Sequence, residues 1–530
     1  MVATTFAVDT PLVVTGIVAG DGIVGNWFWW STAIGHVGAI VLFGRLWRRA
    51  EVLTDAELVE LRYGGRPARV LRSVQACFYA VAINSIVLGW GLAAMRKVSA
   101  AVLPWDPEWV VVGFVLFALL YSALGGLRAV VLTDLVQFTF AMTGSVALAF
   151  LAVREVGGLG PLVDQIRSLP GGDDTLRMVP GAGSGSLVVT VFATYVLVQW
   201  WARMAADGGG YLAQRMFAAR DDRQAATAAG WFVWLHYVVR PWPWILVGLA
   251  ALVLFPPGSA EELASLPLLN EAGDVDREAA YPLLLVKLMP VGLLGIAVAA
   301  LLAAFMSTVD THIHWGTSYL VNDLYRQLIR PRAGQRELMI ASWLCMAGMA
   351  ALALAVGQVI DRVEDAWKFL AAAGAGMGTP ALLRWIWWRM TAWAELLGML
   401  TGAVTAVITY TFAPDLIHAH RLWITAGASV TVSALAVAFG PATAPEVLRT
   451  FVARVRPPGY WGPHATGAPG LGLLLGAWAA GIVAVFAALI GIGHLLLGAP
   501  TSGALLALLA LTTWLLSRHL VRRADRLSGS

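Results

Sequence analysis

About 14 apolar stretches, each long enough to cross a bilayer, divide this chain, and arginine clusters in alternate gaps between them. The stretches fall near 1–20, 26–46, 70–100, 108–123, 127–153, 186–206, 225–255, 287–325, 336–357, 364–388, 390–412, 420–440, 471–495 and 499–520. The gap after the second holds Arg45, Arg48, Arg49, Arg62, Arg66, Arg69 and Arg72. Arginines return after the sixth (Arg203, Arg215), the eighth (Arg326, Arg330), the tenth (Arg384, Arg389), the twelfth (Arg449, Arg454) and the fourteenth (Arg518, Arg522). Basic residues beside helix ends stay cytoplasmic. The gap after the fifth is the exception, with Arg154, Arg167 and Arg177 beside Asp173 and Asp174; the even-numbered gaps and the C-terminus are expected in the cytoplasm. The pattern is that of an all-α, polytopic protein of the plasma membrane.

Composition excludes other classes. Hydrophobic residues make up 59% of the 530 and charged residues 13%, and the mean hydropathy is +0.73, outside the range of a soluble enzyme of this size. The net charge of +4 reflects cytoplasmic loops. No basic stripe interleaved with aromatics points to nucleic acid. Cys77 and Cys345 both lie in apolar stretches, which argues against disulfides and thiolate metal sites. The 24 tryptophans are expected mostly at the membrane interfaces. The chain begins inside apolar sequence, and the expectation is that the start codon is placed too late, with residues of the first helix missing upstream.

Two stretches read as interrupted: the first at Asp9-Thr10-Pro11, the sixth at its end, where Gly208, Gly209 and Gly210 follow Asp207. They lie five stretches apart. Five is odd, so two five-helix units would enter the membrane from opposite sides. That is the arithmetic of an inverted repeat, and matched helix breaks point to a midplane binding site. The expected division is 1–153 as first repeat, 154–185 as external loop, 186–388 as second repeat and 389–530 as peripheral helices.

Segment eight carries Ala303-Ala304-Phe305-Met306-Ser307-Thr308-Val309-Asp310. Neighbouring hydroxyls on a helix offer hard oxygen ligands to a small cation, although Ser and Thr also bond back to their own helix carbonyls. Two other signals are refused. Gly20-Asp21-Gly22-Ile23-Val24-Gly25 spells a dinucleotide fingerprint but joins two membrane helices, with no strand before it. His312 and His314 look like a metal pair, yet residues two apart on a helix face different ways.

The segment-eight block, followed by Ser318, Asn322, Asp323 and Tyr325, resembles the solute:sodium symporter family. So do the run from Tyr121-Ser122 through Gly125-Gly126 to Thr133-Asp134 and Gln137, the stretch from Thr54 and Glu57 to Gly64, and Gln214-Arg215. The resemblance covers roughly residues 1 to 390. It implies two inverted five-helix repeats, with one sodium ion between the first and eighth helices as co-transported ligand and no cofactor. Carried over by position, the sodium ligands are the carbonyls of Ala7, Thr10 and Ala304 and the hydroxyls of Ser307 and Thr308, with Asp134 near the ion. Pro11 stands where many members have serine, so no side-chain contact is expected there. Asp9 falls beside the place where the family's solute meets the unwound first helix. It is expected to pair with a cationic solute group or with Arg203. Tyr195, Gln199 and Trp200 of the sixth helix are solute-site candidates.

The implied activity is sodium-coupled symport of a small organic solute. Two rivals are proton coupling through Asp134, Asp310 or Asp9, and a non-transporting membrane sensor or auxiliary subunit.

Overall fold

The computed structural model describes residues 5–52, 54–181, 183–210, 222–255, 276–462 and 468–528, with backbone alone at 121–135, 222–223, 225–226 and 528. Among the described residues the regular structure is helical, without strands. Ten helices among them are long and apolar enough to cross a membrane, and the chain is a multi-pass integral membrane protein.

The first repeat opens with α1 (Asp9–Asp21) and α2 (Ile23–Ala50). Their joint is the glycine run that spells a nucleotide motif. There Gly22 adopts φ 72°, and a Cβ on it would sit 2.8 Å from Thr175 Cα. The short α3 (Asp55–Tyr63) starts under a Thr54 cap, whose side chain accepts from Glu57 N, and leads to α4 (Gly65–Val102).

Where the hydropathy divides 108–123 from 127–153, α5 (Pro107–Glu155) runs through both as one helix of 49 residues, about 74 Å at 1.5 Å per residue. No proline interrupts it beyond its first turn. The Gly125–Gly126 pair weakens a helix by about 2 kcal/mol without forbidding it. Asp134 lies on this helix, but its side chain is outside the described residues. The short α6 (Leu159–Ser168) follows and buries Leu162, Val163 and Ile166.

The part expected as the second repeat contains α7 (Ser186–Ala202), α8 (Thr227–Leu254), the short α9 (Ala280–Leu288), α10 (Val291–Ile329) and α11 (Gln335–Gly357). Its last stretch is not a single span. It divides into α12 (Val363–Ala373), a 3-10 turn at Gly374–Gly376 and α13 (Gly378–Leu383). The chain then continues through α14 (Ala392–Phe412), α15 (His418–Phe439), amphipathic α16 (Pro445–Val455), α17 (Leu471–Leu496) and α18 (Pro500–Ser528). The hairpin of α17 and α18 flanks α2, where Trp478 Nε1 donates to Ile34 O at 2.8 Å.

Both expected interruptions are places where helix and irregular chain meet. α1 starts at Asp9, so Ala7 and Val8 approach it as non-helical chain, and Thr10 N donates to Ala7 O at 3.3 Å. α7 stops at Ala202. Arg203 is extended (ψ 156°), and Ala205, Gly208 and Gly210 take positive φ. Gln214 and Arg215 lie outside the described residues.

Gly378 lets the start of α13 abut this break, since a Cβ there would fall 1.9 Å from Trp201 O and 2.5 Å from Arg203 O. Backbone atoms cannot swing aside as a side-chain tip can. Gly378→Ala is expected to cost about 1–3 kcal/mol of stability. A Cβ added at exposed Gly427 would meet nothing within 4 Å, and Gly427→Ala, inside α15, should leave stability unchanged or raise it by up to about 1 kcal/mol. Thermal unfolding of the two detergent-solubilised variants checks this.

Candidate solute and ion site

The two interrupted helices converge on a central cavity of about 290 Å³. Ala7, Asp9 and Thr10 line it from the start of α1, Thr308 and His312 from α10, and Gln199, Arg203 and Met204 from α7 and its break. Trp90 of α4 and Trp367 of α12 close one corner, their rings 6.1 Å apart and edge-on. The aromatic run of α2 supplies another wall, where Trp29 stacks on Tyr237 of α8 at 6.0 Å.

Several wall groups are fixed by hydrogen bonds within the protein. Tyr237 OH is 2.7 Å from Thr32 Oγ1 and 2.5 Å from His36 Nδ1. Arg240 donates to Thr5 O at 2.9 Å and lies over the Trp244 ring. Asn84 of α4 donates to His312 O at 2.7 Å, so its Oδ1, 2.6 Å from His312 Nδ1, faces a nitrogen that must carry the proton. His312 Nε2 is then an acceptor. None of these residues is a site candidate from sequence alone, although His36, His236 and Arg240 are ionisable groups inside apolar stretches, a signal of function by default.

Thr308 shares the cavity with Ala7 and Thr10, and its hydroxyl donates to Ala304 O at 2.9 Å. That back-bond occupies the proton and leaves oxygen lone pairs for a cation. Ser307 and Ala304 are buried on the same helix. Asp9 is 2% exposed. Its Oδ2 accepts from Trp367 Nε1 at 3.0 Å, while Oδ1 has no partner. Among the described residues Asp9 forms no ion pair with Arg203; tryptophan takes the place expected for that arginine. Gln199 Nε2 donates to Phe28 O at 2.6 Å, and its buried Oε1 has no partner.

Tyr195 and Trp200 lie elsewhere. Tyr195 lines a second cavity of about 810 Å³ together with Phe28 and His418. Phe28 lines both cavities, its ring 5.7 Å from Tyr195 and 5.5 Å from His418. Trp200 packs on Trp478 of α17, with ring centroids 5.1 Å apart, and does not line the central cavity. His314 pairs with Asp310 at 3.2 Å and, unlike His312, does not line the cavity.

On the side of the arginine-rich gaps a polar network lies under the cavity. Asp207, in the α7 break, accepts from Arg384 and Trp385, each at 2.7 Å, and its carbonyl accepts from Trp47 Nε1 at 2.9 Å. Arg384 also pairs with Glu395 at 3.0 Å, which takes a hydrogen bond from Tyr63. Asp55, at the start of α3, accepts from Gly210 N at 3.0 Å and from Tyr319 OH of α10. Burial pushes the Asp55 carboxyl above the usual aspartate range, against the opposing Tyr319 hydrogen bond. The network thus joins the α7 break to α2, α3, α10 and the end of α13.

With this geometry in view, comparison with known proteins decides the family. The sodium:solute symporter family matches residues 8–402. The chain belongs to that family. It is 24% identical over 437 residues to sodium/glucose cotransporter 4 of Danio rerio, covering 75% of this chain and 63% of that protein. It is 25% identical over 406 residues to the sodium/proline symporter of Escherichia coli, covering 74% and 75%. The chain thus spans less than two thirds of the first relative's length. A solved Na+-coupled sialic acid symporter in a substrate-bound outward-open state aligns over 83% of this chain and 89% of its own, at 17% identity and TM-score 0.62. The fold is therefore that of a transporter of two inverted five-helix repeats.

Asp207 is fully buried, and removing it leaves Arg384 with Glu395 alone and Trp385 without its acceptor. Asp207→Ala is expected to lose about 3–5 kcal/mol, read as a lowered unfolding temperature in detergent. An unfolding temperature equal to the parent's would show the pair to be dispensable.

Proposed function

We propose that the protein is a sodium-coupled symporter of a small organic solute in the plasma membrane, with its C-terminus cytoplasmic, working by alternating access. The observation that carries this reading is the convergence of Ala7, Thr10 and Thr308 on the cavity walled by the α7 break. Sodium binds between the chain preceding α1 and the hydroxyl face of α10, through the carbonyls of Ala7, Thr10 and Ala304 and the hydroxyls of Ser307 and Thr308. Asp134 stands near the ion in this reading. The solute occupies the adjoining cavity beside Asp9 and Gln199.

Coupling follows from shared elements. Sodium ties α1 to α10 while solute bridges α1 and α7, so each ligand favours the same arrangement and raises the other's affinity by a reciprocal factor. A sodium ion moving inward gains about 2.3 kcal/mol per 100 mV. A tenfold concentration gradient adds about 1.4 kcal/mol. Together these sustain a solute gradient of several hundredfold, on the order of 500, for one ion per solute.

Replacing both Ser307 and Thr308 with alanine is expected to raise the sodium concentration for half-maximal uptake at least about tenfold, a loss of roughly 1.4 kcal/mol, while surface expression persists. Uptake in proteoliposomes under sodium and under potassium gradients measures it. An unchanged sodium requirement in the double variant refutes the ion site. Uptake driven equally well by a proton gradient without sodium refutes sodium coupling.

A further inference from the structure

The central cavity holds a carboxylate and a guanidinium that the protein does not pair with each other. Asp9 keeps one buried oxygen without a partner, in a corner where Trp367 grips the other oxygen and Trp90 stands edge-on to Trp367. Arg203 lines the same cavity from the α7 break. Its Nε donates to Met204 O at 3.3 Å, and no acid pairs with it among the described residues.

A charge at membrane depth is costly unless it finds a partner. The cavity's other cation, Arg240, is already anchored to Thr5 and to the Trp244 and Phe6 rings. Its charge faces Asp9, but it donates no hydrogen bond to Oδ1. Gln199 Oε1 is a second buried acceptor without a donor. Meanwhile the donors of Tyr237, Trp29, Thr32 and Thr308 are met by the protein itself. The unmet groups call for a ligand that brings N–H donors with positive charge to one side and negative charge to the other. The indoles of Trp90 and Trp367 add a face that attracts a cation.

Building on the symport reading, we propose that the transported solute is a compact zwitterion. Its protonated amine donates to Asp9 Oδ1, and its carboxylate meets Arg203. Gln199 Oε1 takes a further N–H. A sugar would supply hydroxyl donors but bring no negative charge to Arg203. A simple carboxylate would leave Asp9 unmet and repel it. A quaternary ammonium would satisfy charge without donating to either oxygen.

The test uses the full-length protein in lipid nanodiscs, with thermal unfolding followed in sodium and in potassium. The probes are the twenty L-amino acids, glycine betaine, ethylamine, L-lactate and D-glucose. At least one amino acid is expected to raise the unfolding temperature in sodium, with lactate, ethylamine and glucose inactive at equal concentration. Asp9→Asn is expected to weaken that amino acid at least about tenfold, roughly 1.4 kcal/mol, while sodium alone still stabilises the variant. Arg203→Gln is expected to weaken the amino acid and leave ethylamine unaffected or improved.

Stabilisation by glucose or lactate that survives in Asp9→Asn overturns the proposal, as does a screen in which no amino acid binds. Loss of the sodium effect in Asp9→Asn also overturns it, because the carboxylate then serves the ion. If sodium has no effect on the parent protein but amino acids stabilise it in potassium, the zwitterion site stands and the sodium reading fails.

Discussion

The ion pair between Asp207 and Arg384 is the constraint on which the central site depends. An unwound helix inside a membrane is tolerable only where its freed backbone groups meet protein or water. Here the described part of the α7 break covers 203–210, and Asp207 sits within it with its carboxylate on Arg384 and Trp385 and its carbonyl on Trp47. Gly209 N turns back to the same carboxylate at 3.1 Å, and Gly210 N reaches Asp55. Without these acceptors the loop could not be held irregular, and the cavity would lose the wall that Arg203 and Met204 provide.

Holding that loop has a second consequence, for access. The partners of Asp207 and Asp55 come from the arginine-rich side of the helices, so the network that fixes the break also lies beneath the cavity. The larger cavity adjoins the central one past Phe28 and the rings of Tyr195 and His418. Polar groups thus bound the site on one side and aromatic rings on the other. Aromatic packing is readily rearranged, whereas a buried ion pair resists separation because each charge is stranded when its partner leaves.

Much of this is legible in the sequence, because a bilayer imposes long apolar helices and a charge bias on any chain that crosses it. The glycines at 208–210 announce the sixth break, and Ser307-Thr308 announce polar groups on α10. Other features depend on tertiary proximity and leave no local trace. Nothing around Asp207 names Arg384, which is 177 residues away. Asp9 is legible as a costly carboxylate, but its partner is Trp367 rather than Arg203, since an indole on α12 reaches it first. Some tryptophans lie inside the protein: Trp30, Trp47, Trp244 and Trp385 are fully buried. In this fold indoles fill space around charged and broken segments, each bringing one N–H and a large apolar face. Adjacency to Gln199 makes Trp200 look like a solute contact, yet successive helix residues point about 100° apart, and Trp200 turns to α17.

A ligand can shift a conformational equilibrium only by its differential affinity for the two states. The polar network beneath the cavity sets how large that difference must be. On the proposed symport reading, several independent buried pairs there would oppose opening more strongly than one sodium ion and one solute could offset. Instead its elements converge on one loop: Asp207, Gly209 and Gly210 are all held within a single turn of chain. A displacement of that loop takes Asp207 from Arg384 and Trp385 and Gly210 from Asp55 at once, while Arg384 keeps Glu395 and Asp55 keeps Tyr319. The same loop begins at Arg203, on the cavity wall. In the proposed symport reading, occupation of the cavity therefore bears on the chain that carries this network, and binding and gating share one short run of backbone.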